Sequence, residues 1–401
     1  MSRWSSPEGV RVVEAVVVAA ARTPIGRARK GSLVGLDAFE LAEIAVGAAI
    51  ERSGVQPAHI DDIVLAESQQ GGGVIARHTA VRLGLTHVPG LADNRHCAAG
   101  LSAVAIAASA VRSGMDSVIV AGGTESLSTA PTSSKRPPGG GDPERWTTPS
   151  HPNTPDAPTF DMSITVGENT AREMGLTRRD VDEWAAYSHA RALHSIDEGY
   201  FVDQIVPVKV TQADGAIRLF EVDEHPRRGT TAATLAELPV LHPELDHATV
   251  TAGNASGLND AAAALVVVSS EYAAAHGLRP LARIKSWSAV ALEPARTGMA
   301  PTVAIPKALD RAGVSIEDIS LFEINEAFCS VPVAAVRTFG LNPERVNVNG
   351  SGCSLGHPIA ATGARMVVTM IHELRRREGG LGCVSMCAGG GMAAAMIVEA
   401  M

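Results

Sequence analysis

Four side chains in this 401-residue chain have the types and settings for carbon–carbon bond chemistry through sulfur. Cys97 stands in Asn94-Arg-His-Cys97, between a β run and an apolar helix that begins at about Ala98. A helix start leaves amide groups unpaired and carries the positive end of the dipole, so a thiolate is expected there rather than a thiol. His357 follows Gly356 and precedes Pro358 in a glycine-rich turn, and its imidazole is suited to take the thiol proton. Cys387 ends a late β run and opens Ala388-Gly389-Gly-Gly391, where free amide groups can receive an oxyanion. Asn325, in Asn325-Glu-Ala-Phe328 after another β run, is placed to fix a water or to orient the histidine. Two thiols and one imidazole point to acyl transfer on one sulfur and proton movement at carbon by the other, rather than hydrolysis. Read singly, each has a plainer explanation: a small buried cysteine, a solvent-facing histidine, the start of a helix.

An internal repeat positions them. Ala49-Ile-Glu-Arg-Ser-Gly-Val55 matches Ala308-Leu-Asp-Arg-Ala-Gly-Val314, and the segment from Ile60 to Glu67 matches that from Ile316 to Glu323. After each copy the order is strand, reactive turn, helix, strand and glycine cluster. In the first half the helix spans about Ala98 to Arg112, the strand Ser117 to Ala121, and Gly122-Gly123 follow. In the second half the helix spans about Ala360 to Arg376, the strand Gly382 to Met386, and the Gly389 cluster follows. Two homologous α/β halves, each a mixed sheet covered by helices, would bring Cys97 and His357 together by pseudo-twofold packing.

Residues 128–158 are rich in Pro, Gly, Ser and Thr, which is loop chemistry. Two helices are predicted beyond them, at about Met162 to Met174 and Arg178 to Gly199, the second opened by a capping box from Thr177 to Asp180. The alanine-rich stretch Asp260 to Val268 returns the chain to the first half. The organisation read here is a first half of 1–127 plus 259–279, an inserted loop domain of 128–258, and a second half of 280–401.

Composition excludes several alternatives. The net charge is −9, so nucleic acid is not the expected partner, although a local cationic pocket for a small anion is compatible with it. The apolar runs are too short to cross a bilayer. The start, MSRWSSPEGVRVVEAVVV, lacks the basic-then-apolar pattern of a signal peptide, and a cytoplasmic location is expected. Five cysteines, four of them beyond residue 328, do not form a disulfide framework or a zinc pattern.

The motifs together resemble the thiolases, the coenzyme A-dependent 3-ketoacyl-CoA thiolase and acetyl-CoA acetyltransferase family. The stretches that carry the resemblance are AVVVAAARTPIGR, NRHCAAGL, VTAGNASGLNDAAAA, EINEAF, NVNGSGCSLGHPIAATGAR and MCAGGGMAAAMIVE, in the family's order over nearly the whole chain. The resemblance implies a five-layered αβαβα fold with an inserted loop domain. It implies Cys97 as the acylated nucleophile and His357 as its activator, His357 and a water on Asn325 forming one oxyanion hole. Cys387 would be the acid/base at the α-carbon, and the amides of Cys97 and Gly389 a second hole. It also implies coenzyme A as substrate with no prosthetic group or metal, contacted by Met162, Arg227, Thr234 and Ser256, and a homo-oligomer built as a dimer of dimers. The sequence departs from the pattern at Asp161-Met162-Ser163 (His-Met-Gly in short-chain members), at Ala360, where glycine is usual, and at Gly350-Ser-Gly-Cys353. These changes bear on which acyl group fits. A decarboxylating condensing enzyme on the same fold would carry histidine where Asn325 stands, and an idle acyl-CoA-binding subunit would have no reason to keep all four reactive residues.

Overall fold

The computed structural model describes residues 13–70, 72–212 and 214–401, so most of the amino-terminal stretch read above for a targeting signal lies outside the described residues. Period-two patterning builds the sheet. In β5 (Asn259–Ser269), Ala263, Leu265 and Val267 face one core while Ala262, Ala264, Val266 and Val268 face another. Full burial of both faces explains why this strand reads as an unbroken apolar run. Truncating Leu265 to alanine would cost about 2–5 kcal/mol, the usual range for a core leucine.

The first half contributes β1 (Ala15–Arg22), β2 (Asp62–Ala66), β3 (Leu91–Asp93), β4 (Val118–Ser126) and β5. The second contributes β6 (Ala282–Ala291), β7 (Ile319–Ile324), β8 (Leu381–Ala388) and β9 (Met392–Ala400). With the short strand Gly26–Arg27 on β5 they form a ten-stranded sheet in the order β7-β8-β9-β6-β1-β5-β4-β2-β3. Apart from the terminal β3, the order is a palindrome about the β6–β1 junction, where only Val16↔Arg283 and Val17↔Ala282 pair. Each half repeats one parallel pairing, β2 with β4 and β7 with β8, followed by two antiparallel ones. The pseudo-twofold relation expected from the repeat is therefore the relation observed.

Helices complete the layers. α1 (Ala38–Ser53) covers the outer face of the first half, and α5 (Pro301–Ala312) that of the second. The repeated heptapeptides are the ends of these two helices, each closed by a left-handed glycine, Gly54 at φ 70° and Gly313 at φ 67°. Between the two sheet halves lie α3 (Ala99–Ser113) and α7 (Ile359–Arg376). Leu101, Val104 and Val111 from one helix, and Met366, Val367 and Met370 from the other, share a core with Ile119 and Leu265 of the first half and Val384 and Met396 of the second. The layers are αβαβα. α2 (Ile75–Arg82) lies beside β2 in the first half. The inserted segment holds α4 (Arg178–Asp197), whose Thr177–Asp180 capping box forms as predicted. α6 (Ser330–Phe339) follows β7.

Two strand ends differ from those read in the sequence. β4 does not stop before Gly122-Gly123 but runs through them to Ser126, because the glycines serve close packing: a Cβ on Gly122 would stand 2.1 Å from the Ala263 carbonyl oxygen. The glycines after β8 do form the expected tight turn, with Gly390 and Gly391 both at φ 82°, but Cys387 lies inside that strand. The helix expected at Met162 to Met174 forms, wound wide as a π-helix over Ser163–Glu168 and continued as the α-helix Asn169–Glu173. Asp161, whose Oδ1 accepts the Ser163 amide at 3.1 Å, holds the start of that helix. The loop-like 128–158 segment contains a short hairpin, Ser133–Lys135 with Glu144–Trp146.

Candidate active site

The two reactive turns meet because α3 and α7 touch backbone to backbone at their first turns. A Cβ on Gly100 would lie 2.5 Å from the Ala360 carbonyl oxygen, and one on Gly363 would lie 2.2 Å from the Leu101 nitrogen. Only glycine permits this approach. Cys97 precedes α3 by two residues and His357 precedes α7 by two, so the contact sets the turns side by side.

Cys97 is half-buried, after His96 in a left-handed conformation (φ 47°). The amide groups of Gly389 and of Cys97 itself bear on its sulfur. The expectation of a resting thiolate is not met. Burial pushes the thiol up to about 11, the Glu125 carboxyl adds to the rise, and the two amides only partly offset them. Cys387 is 2% exposed, and burial together with the neighbouring Cys97 raises its thiol further. The two sulfurs, from opposite halves, thus share one environment in which both rest as thiols.

A buried thiol needs a base. His357 is 5% exposed, and burial brings its imidazole down to about 3, with Arg365 contributing. It is therefore uncharged at neutral pH. Thr362 Oγ1 donates to the Pro358 carbonyl oxygen at 2.7 Å and lies 2.7 Å from His357 Nδ1, so the Nδ1–H is the donor in that contact. This hydrogen-bond assignment leaves Nε2 unprotonated, its lone pair 3.5 Å from the Asn325 Nδ2 donor. The His357 amide is tied to Asn259 Oδ1 at 3.0 Å. Asn325 follows β7, donates its own amide to the Ser385 carbonyl at 3.0 Å, and has a buried Oδ1 with no partner among the described residues. That oxygen is free to accept from a water or a ligand. Neither Thr362 nor Glu125 was singled out in the sequence; a threonine in an apolar helix and a glutamate closing a strand give no local signal.

A cavity of about 510 Å³ opens beside these turns, lined by Asn94, His96, Leu258 and Ile359 and by Trp146 and Thr147 of the Pro/Gly-rich loop. The residues expected to touch coenzyme A are spread around the inserted segment. Ser256 donates its amide to the Ala327 carbonyl at 2.9 Å, which sets its loop against the Asn325 segment. His225 Nε2 lies 2.6 Å from the Cβ position of Gly257, so the strand of chain leading to Arg227 packs against the Ser256 loop. Arg227 is exposed and makes no ion pair among the described residues, whereas Arg228 is paired with Asp197 at 2.5 Å. Met162 packs on the apolar cluster that contains Cys387. Thr234 is exposed, and its hydroxyl is engaged with Thr231 in a capping box. Among the described residues no helix is long and apolar enough to cross a membrane, and no cluster of three or more acidic, histidine or cysteine side chains is arranged to hold a metal ion.

Residues 15–271 match the model of the thiolase amino-terminal domain, and residues 278–400 match that of the thiolase carboxy-terminal domain. The chain belongs to the thiolase family. Members of that family are acyltransferases that cleave 3-ketoacyl-CoA with coenzyme A or run the reverse condensation. This thiolase is 41% identical over 393 residues to an acetyl-CoA acetyltransferase of Escherichia coli, covering 96% of this chain and 98% of the relative. Its fold superimposes on the crystal structure of the Bacillus anthracis acetyl-CoA acetyltransferase with a TM-score of 0.90 at 39% identity, over 97% of this chain and 99% of the other. It also superimposes on human mitochondrial 3-ketoacyl-CoA thiolase in complex with CoA, with a TM-score of 0.89 at 33% identity, over 97% and 98% of the two chains.

Proposed function

We propose that this thiolase works by a two-step, ping-pong acyl transfer through Cys97. His357 Nε2 takes the Cys97 proton as the sulfur attacks the 3-keto carbon of a 3-ketoacyl-CoA. The Cα–Cβ bond breaks, the Cys387 thiol protonates the departing acetyl-CoA carbanion, and free coenzyme A then removes the acyl group from Cys97. The observation that carries this reading is the backbone contact that sets the Cys97 turn against the His357 turn, with Cys97 raising the Cys387 thiol of the other half.

The resting protonation states support the division of labour. A thiol held near 11 does not react until a base removes its proton, and a neutral imidazole is that base. A thiol held higher still suits Cys387 to giving up a proton to a carbanion and recovering it in the reverse direction. The Cys97 and Gly389 amides, already bearing on the sulfur, lie where the oxyanion of an acyl-Cys97 intermediate forms. The unpaired Asn325 Oδ1 supports a water there, which with His357 would receive the thioester oxygen of the acetyl-CoA enolate.

Coenzyme A is the second substrate, as the CoA-bound human neighbour supports. Ser256 and Met162 would lie along its pantetheine arm. Arg227, which has no carboxylate partner among the described residues, would meet its nucleotide phosphates rather than the neutralised Arg228. Thr234 would contribute through the loop it caps. A homotetramer, a cytoplasmic location and a place in the β-oxidation of fatty acids complete the reading. Incubation with acetyl-CoA followed by mass spectrometry is expected to find an acetyl group on Cys97, together with thiolysis of acetoacetyl-CoA. Thiolysis without an adduct on Cys97 would remove the covalent step.

A further inference from the structure

The peptide that follows His357 is gripped by the other half of the molecule. The Ala360 carbonyl oxygen occupies space that side chains on Gly100 and Gly123 would fill, at 2.5 and 2.2 Å from their Cβ positions. The Ala360 amide donates to Glu125 Oε2 at 3.0 Å. Glu125 lies near the end of β4 and is fully buried. Its Oε1 accepts the Gln69 amide at 3.2 Å and the Gln70 side-chain amide at 2.9 Å. Burial raises the Glu125 carboxyl, but among the described residues three donors and no acceptor reach its two oxygens, and these favour the carboxylate. None of these contacts is required by the reaction steps above, yet they join the two reactive turns.

We propose that Glu125 is a positioning residue: through the Ala360 amide it fixes the start of α7, and with it the His357 turn, against the Cys97 turn of the other half. The inference rests on the thiolase reading of the site. The titratable groups facing Glu125 are Cys97 and Asp260. Burial is the main reason the Cys97 sulfur stays protonated, and a Glu125 carboxylate adds a smaller push in the same direction, so Glu125 bears on both partners of the transfer.

Glu125→Gln keeps the shape but turns an amino group toward one of the three donors. Acetoacetyl-CoA thiolysis is expected to lose about 10- to 100-fold in kcat with KM changed less than about 3-fold, because orientation rather than binding is disturbed. Alkylation of Cys97 by iodoacetamide at neutral pH is expected to accelerate several-fold, because the neighbouring charge is gone. A residue that merely holds the fold together would slow both reactions, and that result, or an unchanged kcat, overturns the proposal. Glu125→Asp retains the charge but withdraws from Ala360, and is expected to lower kcat without accelerating alkylation. Should Glu125→Gln not fold, Gln70→Leu removes one of the donors and is expected to lower kcat several-fold; an unchanged kcat there counts against the proposal. A wild-type protein inactive on every 3-ketoacyl-CoA would sink the thiolase reading, whereas an active wild type beside an indifferent Glu125→Gln sinks this inference alone.

Discussion

In the first half, the turn before α3 carries Cys97, and the amides of Cys97 and of Gly389 from the other half offset part of the burial of its sulfur. In the second half, the turn before α7 carries His357, and the Ala360 amide just beyond it is already occupied by Glu125. The two turns hold equivalent places in the two halves of the sheet, yet one is met by amides left for a charge that forms and disappears, while an amide beyond the other is used to hold it still. The difference follows from what each half supplies. A nucleophile that becomes an oxyanion-bearing intermediate needs donors free to follow it. A base needs a fixed lone pair, and His357 is fixed at both ring nitrogens and at its own amide. Duplication provides the scaffold, and divergence of the amide pairing provides the two roles.

The largest test of this contrast removes the nucleophile. Cys97→Ala is expected to lower thiolysis by about 10⁴-fold or more and to abolish acyl-enzyme formation, while the melting temperature moves little. Full turnover would end the account. Next, Cys387→Ser is expected to slow deuterium exchange at the methyl group of acetyl-CoA by about 10²- to 10⁴-fold, while acylation of Cys97 changes less than tenfold. Equal losses would merge the two thiols into one role. Asn325→Ala, which removes both the unpaired Oδ1 and the Nδ2 beside His357, is expected to cost about 10²- to 10³-fold in kcat, read from steady-state thiolysis.

The titration behaviour sharpens the comparison further. A thiol raised to about 11 is protonated throughout the neutral range, so Cys97 alkylation should climb about tenfold per pH unit between about pH 7 and 9.5. A plateau below about pH 8.5 would contradict the burial effect. His357, lowered to about 3, should remain uncharged as pH falls from about 8 to 5, leaving its imidazole NMR signals unmoved. A midpoint near 6.5 would mean that the ring is solvated. The smallest effect distinguishes the adjacent arginines: Arg227→Ala should raise the KM for coenzyme A about 5- to 10-fold, and Arg228→Ala less than about 2-fold, because Asp197 already neutralises the latter.

Much of the site was legible because its residues sit in short, distinctive stretches. The palindromic sheet was legible from the repeated helix end, since Gly54 and Gly313 each close a helix in the left-handed conformation that few other residues adopt. The glycines at 122 and 123 misled, because a glycine pair after an apolar run reads as a turn; here the pair admits the Ala263 and Ala360 carbonyls from distant parts of the chain. Thr362 and Glu125 escaped notice for the same reason. Their partners, Nδ1 of His357 and the amide of Ala360, become neighbours only when α7 docks against the first half.

Residue identities, periodicity and duplication belong to the sequence alone: the apolar alternation of β5, the paired helix ends and the order of the reactive turns are all written locally. The protonation of those turns was decided by tertiary packing. A helix start taken by itself favours thiolate, but enclosure between two sheet halves strips water from the sulfur, and that desolvation outweighs the amides. The bond from Ala360 to Glu125 spans 235 residues, a distance no local pattern encodes, and only the closing of one half on the other brings its two ends together.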